Sequence, residues 1–143
     1  MMNRQDYNPL NDYLFKFVFG REERKRITLS FLNAILNREG ADELTDITFV
    51  DRELDPSFDE GKLSRLDIYG VMSDGSKINI EVQLMNYGNM QKRTLYYWAR
   101  MYQSLRKGEE YESLTRSITI NLLNFRLLPQ ECPHNVYGLY RKH

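Results

Sequence analysis

The stretch Lys77-Ile78-Asn79-Ile80-Glu81-Val82-Gln83-Leu84 alternates apolar and polar residues without interruption. A period of two is typical of a β-strand, whose successive side chains point to opposite faces of a sheet. We therefore predict a strand from Ser76 to Met85. Its core-facing residues are expected to be Ile78, Ile80, Val82 and Leu84. The polar residues, including Glu81 and Gln83, share the other face.

A second strand is predicted directly upstream, from Lys62 to Met72, so that the two form a hairpin around Ser73-Asp74-Gly75. Two loop lengths fit this sequence. A two-residue turn would place Asp67 opposite Val82, on the wrong face for Glu81. A three-residue loop that ends in a glycine of positive φ would place Asp67 directly opposite Glu81. The sequence leaves both registers open.

The three-residue loop brings two carboxylates together. Side chains directly opposite each other on neighbouring strands have Cβ atoms about 5 Å apart. Asp67 and Glu81 at that distance would repel each other unless a cation lay between them. Oxygen ligands of this kind suit Mg²⁺ or Mn²⁺. The opposing interpretation leaves both acids solvated on the wet face of a hairpin.

Helical and strand periodicity along the rest of the chain predicts the element order α-α-β-β-β-α-β. The first helix is expected to start at Asn8-Pro9, with Asn8 as its N-cap, and the second to cover 21–38. A strand is predicted over 45–53, a long helix over 89–107 and a strand over 116–125. The last residues, 136–140, are predicted to begin a further strand.

Composition excludes several classes of protein. The 143 residues carry 20 basic and 20 acidic side chains, 41% hydrophobic residues and few Gly and Pro, which is unlike a disordered or low-complexity chain. The single cysteine excludes an internal disulfide framework and a CxxC zinc site. No apolar stretch is long enough to cross a bilayer. We therefore expect a soluble, cytoplasmic, single-domain protein without a membrane partner.

The zero net charge conceals a bipolar distribution. Residues 39–60 contain nine acids and one base, whereas residues 87–107 contain five bases and no acid. The basic segment includes Lys92, Arg93 and Arg100, and a cluster of this kind can attract a polyanion such as DNA. The competing interpretation is a solvated helix face that is rich in Lys and Arg.

Five short segments in this order resemble the Rpn family of recombination-promoting nucleases, transposase-related members of the PD-(D/E)XK nuclease superfamily. These segments are Asn11–Gly20, Phe31–Leu36, Arg65–Ile68, Ile80–Gln83 and Arg93–Tyr97, the last followed by Gly108 and Tyr111. The resemblance implies an α/β fold with the αβββαβ core of restriction endonucleases. It also implies a mixed central sheet flanked by helices, with an extra N-terminal helix.

The resemblance further implies a metal-dependent nuclease site. Asp67 and Glu81 would be the ligands of Mg²⁺ or Mn²⁺, with the backbone carbonyl of Val82 as a third. Gln83 stands where the wider superfamily has a catalytic Lys. An amide cannot carry a proton or a positive charge, so Gln83 is expected to orient the attacking water.

Basic and accessory residues complete the expected site. Lys92 or Arg93 would supply the missing positive charge, and together with Arg100 they would contact DNA phosphates. We expect these bases on one side of the long helix, opposite a packing stripe that contains Tyr97 and Trp98. Further accessory candidates are Arg65, Tyr97 and an extra acid on the second helix, Glu23 or its neighbour Glu22.

Three functions remain in competition at this point. The first is a Mg²⁺-dependent DNA endonuclease domain of low sequence specificity, linked to recombination or transposition. The second is a DNA-binding remnant of the same fold without activity, for which Gln83 would be the mark. The third is a protein-interaction module. A homodimer is possible for each of these functions. We expect residues 1–143 to form one domain that is truncated at its C-terminus relative to the family.

Overall fold

The seven helices and strands found in the described part of the chain follow the predicted order. The computed structural model describes residues 8–50, 68–103, 107–129 and 132–139. The helices are α1 (Asp12–Phe19), α2 (Lys25–Leu36) and α3 (Met90–Tyr102). The strands are β1 (Ile47–Phe49), β2 (Ile68–Met72), β3 (Lys77–Gln83) and β4 (Ser117–Leu123). Short 3-10 turns at Glu22–Arg24, Gly40–Asp42 and Tyr111–Ser113 connect them.

The four strands form one mixed sheet in the order β1-β2-β3-β4. The pairs β1-β2 and β2-β3 are antiparallel, and β3-β4 is parallel. A parallel neighbour needs a crossover connection, and α3 lies in that connection. The arrangement is consistent with the restriction-endonuclease-like α/β fold predicted from the sequence.

The helices lie on opposite faces of this sheet. Residues of α1 and α2 share a buried cluster with even-numbered residues of β3 and β4; this cluster contains Phe15, Leu29, Leu32, Ile78, Ile80 and Ile120. Helix α3 contacts β4, and its side chains bond to odd-numbered positions of β3 and β4. Because side chains alternate along a strand, the polar face of β3 lies under α3.

The hairpin uses the three-residue loop. Ile68 pairs with Ile80 and Gly70 with Ile78, which is the register in which paired residue numbers sum to 148. The loop closes through hydrogen bonds from the Met72 amide to the Ser76 carbonyl and from the Gly75 amide to the Met72 carbonyl, both 2.9 Å. Gly75 has a φ of 81°, as the three-residue loop requires. The two-residue alternative is therefore excluded.

We expect Gly75→Ala to lower the free energy of unfolding by about 1–2 kcal/mol, because a Cβ disfavours positive φ. Space is not the reason, since the nearest neighbour of such a Cβ is the Thr115 methyl at 3.9 Å. Urea unfolding monitored by circular dichroism measures the change. An unchanged unfolding midpoint would contradict the assigned loop geometry.

Three details of the sequence prediction are wrong. Helix α1 begins at Asp12, and its N-cap is Asn11, whose side chain accepts from the Leu14 amide; Asn8 instead starts a preceding turn. Leu84 is exposed, because β3 ends at Gln83, one residue before it. Residues 136–139 form no strand, and Tyr140 lies outside the described residues.

Candidate active site

The polar face of β3 is buried. Asn79 and Glu81 have no exposed surface, and Gln83 is only 9% exposed. The wet-face interpretation is therefore wrong for Glu81, because α3 covers this side of the sheet. An ionised carboxylate without water needs a cation or hydrogen-bond donors close by. Burial of Glu81 thus distinguishes it from an ordinary surface acid.

Strand β4 continues the polar face. In the parallel register Glu81 lies beside Asn121 and Asn79 beside Thr119. The Asn121 amide donates to the Thr94 hydroxyl on α3 at 3.1 Å. These contacts create a polar seam, defined here as the facing polar side chains of β3, β4 and α3. The seam fixes α3 over Glu81.

A second hydrogen bond attaches α3 to β4 one turn further along the helix. The Trp98 indole N–H donates to the Ser117 carbonyl at 2.8 Å, and the Trp98 ring stacks on Tyr102 with centroids 5.4 Å apart. The Asn121–Thr94 and Trp98–Ser117 bonds are four residues, about one turn, apart on α3, and both attach the helix to β4. The rotation of α3 about its axis follows from these contacts.

That rotation points Arg93 toward the sheet. Its Nη2 lies 3.4 Å from Oε1 of Glu81, and the arginine side chain is 24% exposed. The guanidinium carbon lies 5.4 Å from the centre of the Tyr97 ring. The expectation that Tyr97 and Trp98 lie opposite the bases is therefore wrong for Arg93. Tyr97 is buried and shares the inward side of α3 with Arg93.

The second carboxylate oxygen of Glu81, Oε2, is buried and is left without a hydrogen-bond partner within the described residues. Such an orphaned oxygen is costly unless a cation or donor reaches it. Such an oxygen can serve as one ligand of a divalent metal. In the described part of the chain no group of three or more His, Cys, Asp or Glu could hold a metal, so further ligands would have to be backbone, water or the residues outside it.

The backbone carbonyl of Val82, predicted as a third metal ligand, points toward β2. Odd-numbered positions of β3 bond to the β4 side, since the Lys77 amide donates to Arg116 and the Gln83 carbonyl accepts from Asn124. Backbone groups alternate direction along a strand. The Val82 carbonyl therefore faces the side on which β2 lies. The Val82 side chain packs against the opposite, apolar core.

None of the other predicted acids, nor Arg65, is shown beside Glu81 within the described part of the chain. Asp67 and Arg65 lie outside that part. Ile68, the residue after Asp67, pairs with Ile80, and the pairing of Asp67 with Glu81 stays a prediction. Glu22 and Glu23 lie in the exposed turn before α2, and their accessory role stays a prediction.

The predicted DNA-contacting bases divide into two kinds. Lys92 is exposed and Arg100 is half-buried, whereas Arg93 faces Glu81. An open groove of about 380 Å³ lies beside them and is lined by Asn89, Lys92, Arg93, Tyr96 and Tyr97. The groove reaches the Arg93 side chain, and Arg93 in turn contacts the buried Glu81.

Sequence reasoning missed the contribution of β4. Ser117, Thr119 and Asn121 alternate with Ile118, Ile120 and Leu122, the same pattern that marks β3. Buried oxygens of all three polar residues lack partners within the described residues. This alternation was the available signal for a second strand lining the site.

Comparison with known families agrees with this geometry. A family model described as PD-(D/E)XK nuclease family transposase matches residues 9–143. The chain belongs to that family. The match supports a nuclease- or transposase-related role for this PD-(D/E)XK domain, and nucleases of this kind generally use divalent metal ions. No protein with a curated function and no solved structure matches the chain. Within the described residues, no helix of this family member is long and apolar enough to span a membrane.

Proposed function

We propose that this PD-(D/E)XK domain is a Mg²⁺- or Mn²⁺-dependent DNA endonuclease of low sequence specificity, linked to recombination or transposition. The observation that carries the proposal is the fully buried Glu81 on β3, with one carboxylate oxygen that has no partner within the described residues. Burying a carboxylate in this way lowers the stability of the fold, so a purely structural role does not explain it. A carboxylate in this position is suited to holding a metal ion against a phosphodiester.

Three groups of this chain would hold the metal. Asp67 and Glu81 would contribute carboxylate oxygens, and Val82 its backbone carbonyl, which faces the β2 side of β3. When bound, the ion would lower the pKa of a water molecule and offset negative charge on the phosphate. The Gln83 side chain, on the same face as Glu81 and 9% exposed, would orient the attacking water through its amide.

Plasmid nicking tests the activity. Supercoiled plasmid is incubated with the protein in Mg²⁺, in Mn²⁺ or in EDTA, and nicked product is quantified on gels. We expect metal-dependent nicking by wild type and none by Asp67→Ala. Glu112→Gln, which changes an exposed glutamate on a connecting turn, is the matched control and should retain wild-type activity. Nicking that survives both EDTA and Asp67→Ala would refute the proposal.

DNA contact by α3 predicts a change in salt dependence. The double variant Lys92→Gln/Arg100→Gln should weaken duplex binding equally across sequences. Each lost phosphate contact should flatten the slope of log K against log salt concentration by about 0.9. Fluorescence anisotropy with a labelled duplex at several salt concentrations measures the slope.

The control for the salt experiment is Arg26→Gln. Arg26 is exposed on α2, which packs against the opposite face of the sheet. The variant removes the same kind of charge but should leave the slope unchanged. An identical slope in wild type and the α3 double variant would exclude α3 from the DNA surface.

A DNA-binding domain without cleavage activity is the second candidate, and Gln83 favours it, because an amide cannot replace the charge of a catalytic lysine. The two candidates differ in metal binding and nicking, but both predict salt-dependent DNA binding. A protein-interaction module predicts neither. Homodimerisation stays a prediction that analytical ultracentrifugation would test.

A further inference from the structure

We propose that Arg93 is the counter-ion of Glu81 in the metal-free protein, and that a divalent cation replaces it when the metal site is filled. The inference rests on the proposed metal site at Glu81. It adds a role for an arginine on α3. Its guanidinium pairs with the Glu81 carboxylate before the metal binds and is free to contact DNA after the metal has bound. Arg93 is in this sense a positioning residue that couples metal binding to DNA contact.

Burial explains why Glu81 needs a resident cation. A fully buried carboxylate loses its hydration, and this loss is tolerated when an opposite charge lies in contact. Within the described residues the ion-pair partner of Glu81 is Arg93, at 3.4 Å. Removing the arginine would leave an uncompensated charge inside the seam. Removing the glutamate would leave a cation that is 24% exposed and can still reach water.

The pair is incomplete in its geometry. Charge-assisted hydrogen bonds between guanidinium and carboxylate are commonly about 2.7–2.9 Å and often bidentate. Here the single contact is 3.4 Å. Within the described residues both the Nε of Arg93 and the Oε2 of Glu81 are buried without partners. A contact of this kind offsets the negative charge of Glu81 but leaves one carboxylate oxygen available to a cation that binds it more tightly.

A metal ion and the guanidinium would compete for the same carboxylate. Two cations beside one carboxylate repel each other, and a divalent ion interacts with it more strongly than a single positive charge does. Glu81 would therefore exchange one partner for the other rather than hold both in contact.

The groove leaves the guanidinium with a partner when the metal takes its place at Glu81. The Tyr97 ring lies 5.4 Å from the guanidinium carbon, within the range of a cation–π contact. Lys92 and Tyr96 line the same groove beside Arg93. A phosphate that enters this groove would be recognised by two neighbouring positive charges once Arg93 has left Glu81.

Titration with Mn²⁺ alone, without DNA, tests the exchange. Calorimetry gives the affinity and thermal melts give the stability of the metal-free protein. Arg93→Gln should lower the melting temperature without metal and bind Mn²⁺ about tenfold or more tightly than wild type, because the competing charge is gone. Arg93→Lys keeps the charge and should bind close to wild type.

Lys92→Gln is the matched control, since it removes one positive charge from the neighbouring position of the same groove. It should change Mn²⁺ affinity far less than Arg93→Gln. Equal changes in Mn²⁺ affinity in the two variants would mean that Arg93 acts only through its general positive charge, and this result would overturn the inference. Weaker Mn²⁺ binding by Arg93→Gln would overturn it as well.

Failure of this inference can be separated from failure of the metal site. Mn²⁺ binding that depends on Glu81, with equal affinities in Arg93→Gln and Lys92→Gln, overturns the exchange alone. Absence of Glu81-dependent binding in both wild type and Arg93→Gln overturns the exchange together with the metal site. Should Arg93→Gln not fold, wild type still provides a test by NMR. The Arg93 Nε–H signal, assigned as the one missing in Arg93→Lys, should shift on Mg²⁺ saturation, and an unmoved signal contradicts the proposal.

Discussion

Glu81→Gln will remove divalent-metal binding while leaving the metal-free domain at least as stable as wild type. The substitution takes a charge out of a fully buried position, where desolvation of a carboxylate is costly. Gln keeps the size and retains hydrogen-bonding groups for the seam. Loss of a direct ligand should lower nicking activity by about 100-fold or more, because even residues behind the ligands typically contribute 10- to 100-fold. Asp67→Asn should behave in the same way.

Thermal melts with and without Mg²⁺ measure this effect independently of catalysis. Wild type should melt at a higher temperature in Mg²⁺, because a ligand that binds only the folded state stabilises it. Glu81→Gln should show no such rise, and Glu112→Gln should show the wild-type rise. Equal metal-induced stabilisation in wild type and Glu81→Gln would show that the ion binds elsewhere.

Asn33→Ala should be strongly destabilising, lowering the free energy of unfolding by about 2–4 kcal/mol. The Asn33 side chain is 9% exposed and lies in α2. Its amide donates to the Leu44 carbonyl at 3.0 Å, and its oxygen accepts from the Leu44 amide at 2.8 Å. Removing both bonds leaves two buried backbone groups without partners.

Ser30→Ala is the control for this prediction. Ser30 is exposed on the same helix, and its replacement should change stability by no more than about 0.5 kcal/mol. Urea unfolding monitored by Trp98 fluorescence compares the variants. A similar loss for both would mean that the Asn33–Leu44 link contributes little beyond helix propensity.

The hairpin could be predicted almost completely from the sequence. The alternation from Lys77 to Gln83 specifies which side chains share a face, because a strand has a fixed period of two. Loop length was the remaining ambiguity, and the Ser73-Asp74-Gly75 loop with Gly75 at positive φ resolved it. Continuation of that register from Ile68 to Asp67 stays a prediction.

The environment of Glu81 could be predicted only in part. Its position on the polar face of β3 follows from local pattern, and its proposed role follows from the family. Its complete burial depends on α3 and β4, which are distant in sequence. Similar reasoning applies to Arg93, since helical spacing alone groups it equally well with Arg100 on an outer face or with Tyr97 on an inner one.

The sequence by itself determined the order of elements and the faces of the strands, because these depend on interactions between residues close along the chain. Only the tertiary structure decided that the polar face of β3 is covered, that β4 extends it, and that Arg93 turns inward to Glu81. The rotation of a helix on a sheet is set by packing and by bonds such as those of Trp98 and Asn121. These bonds join residues whose proximity exists only once the chain has folded.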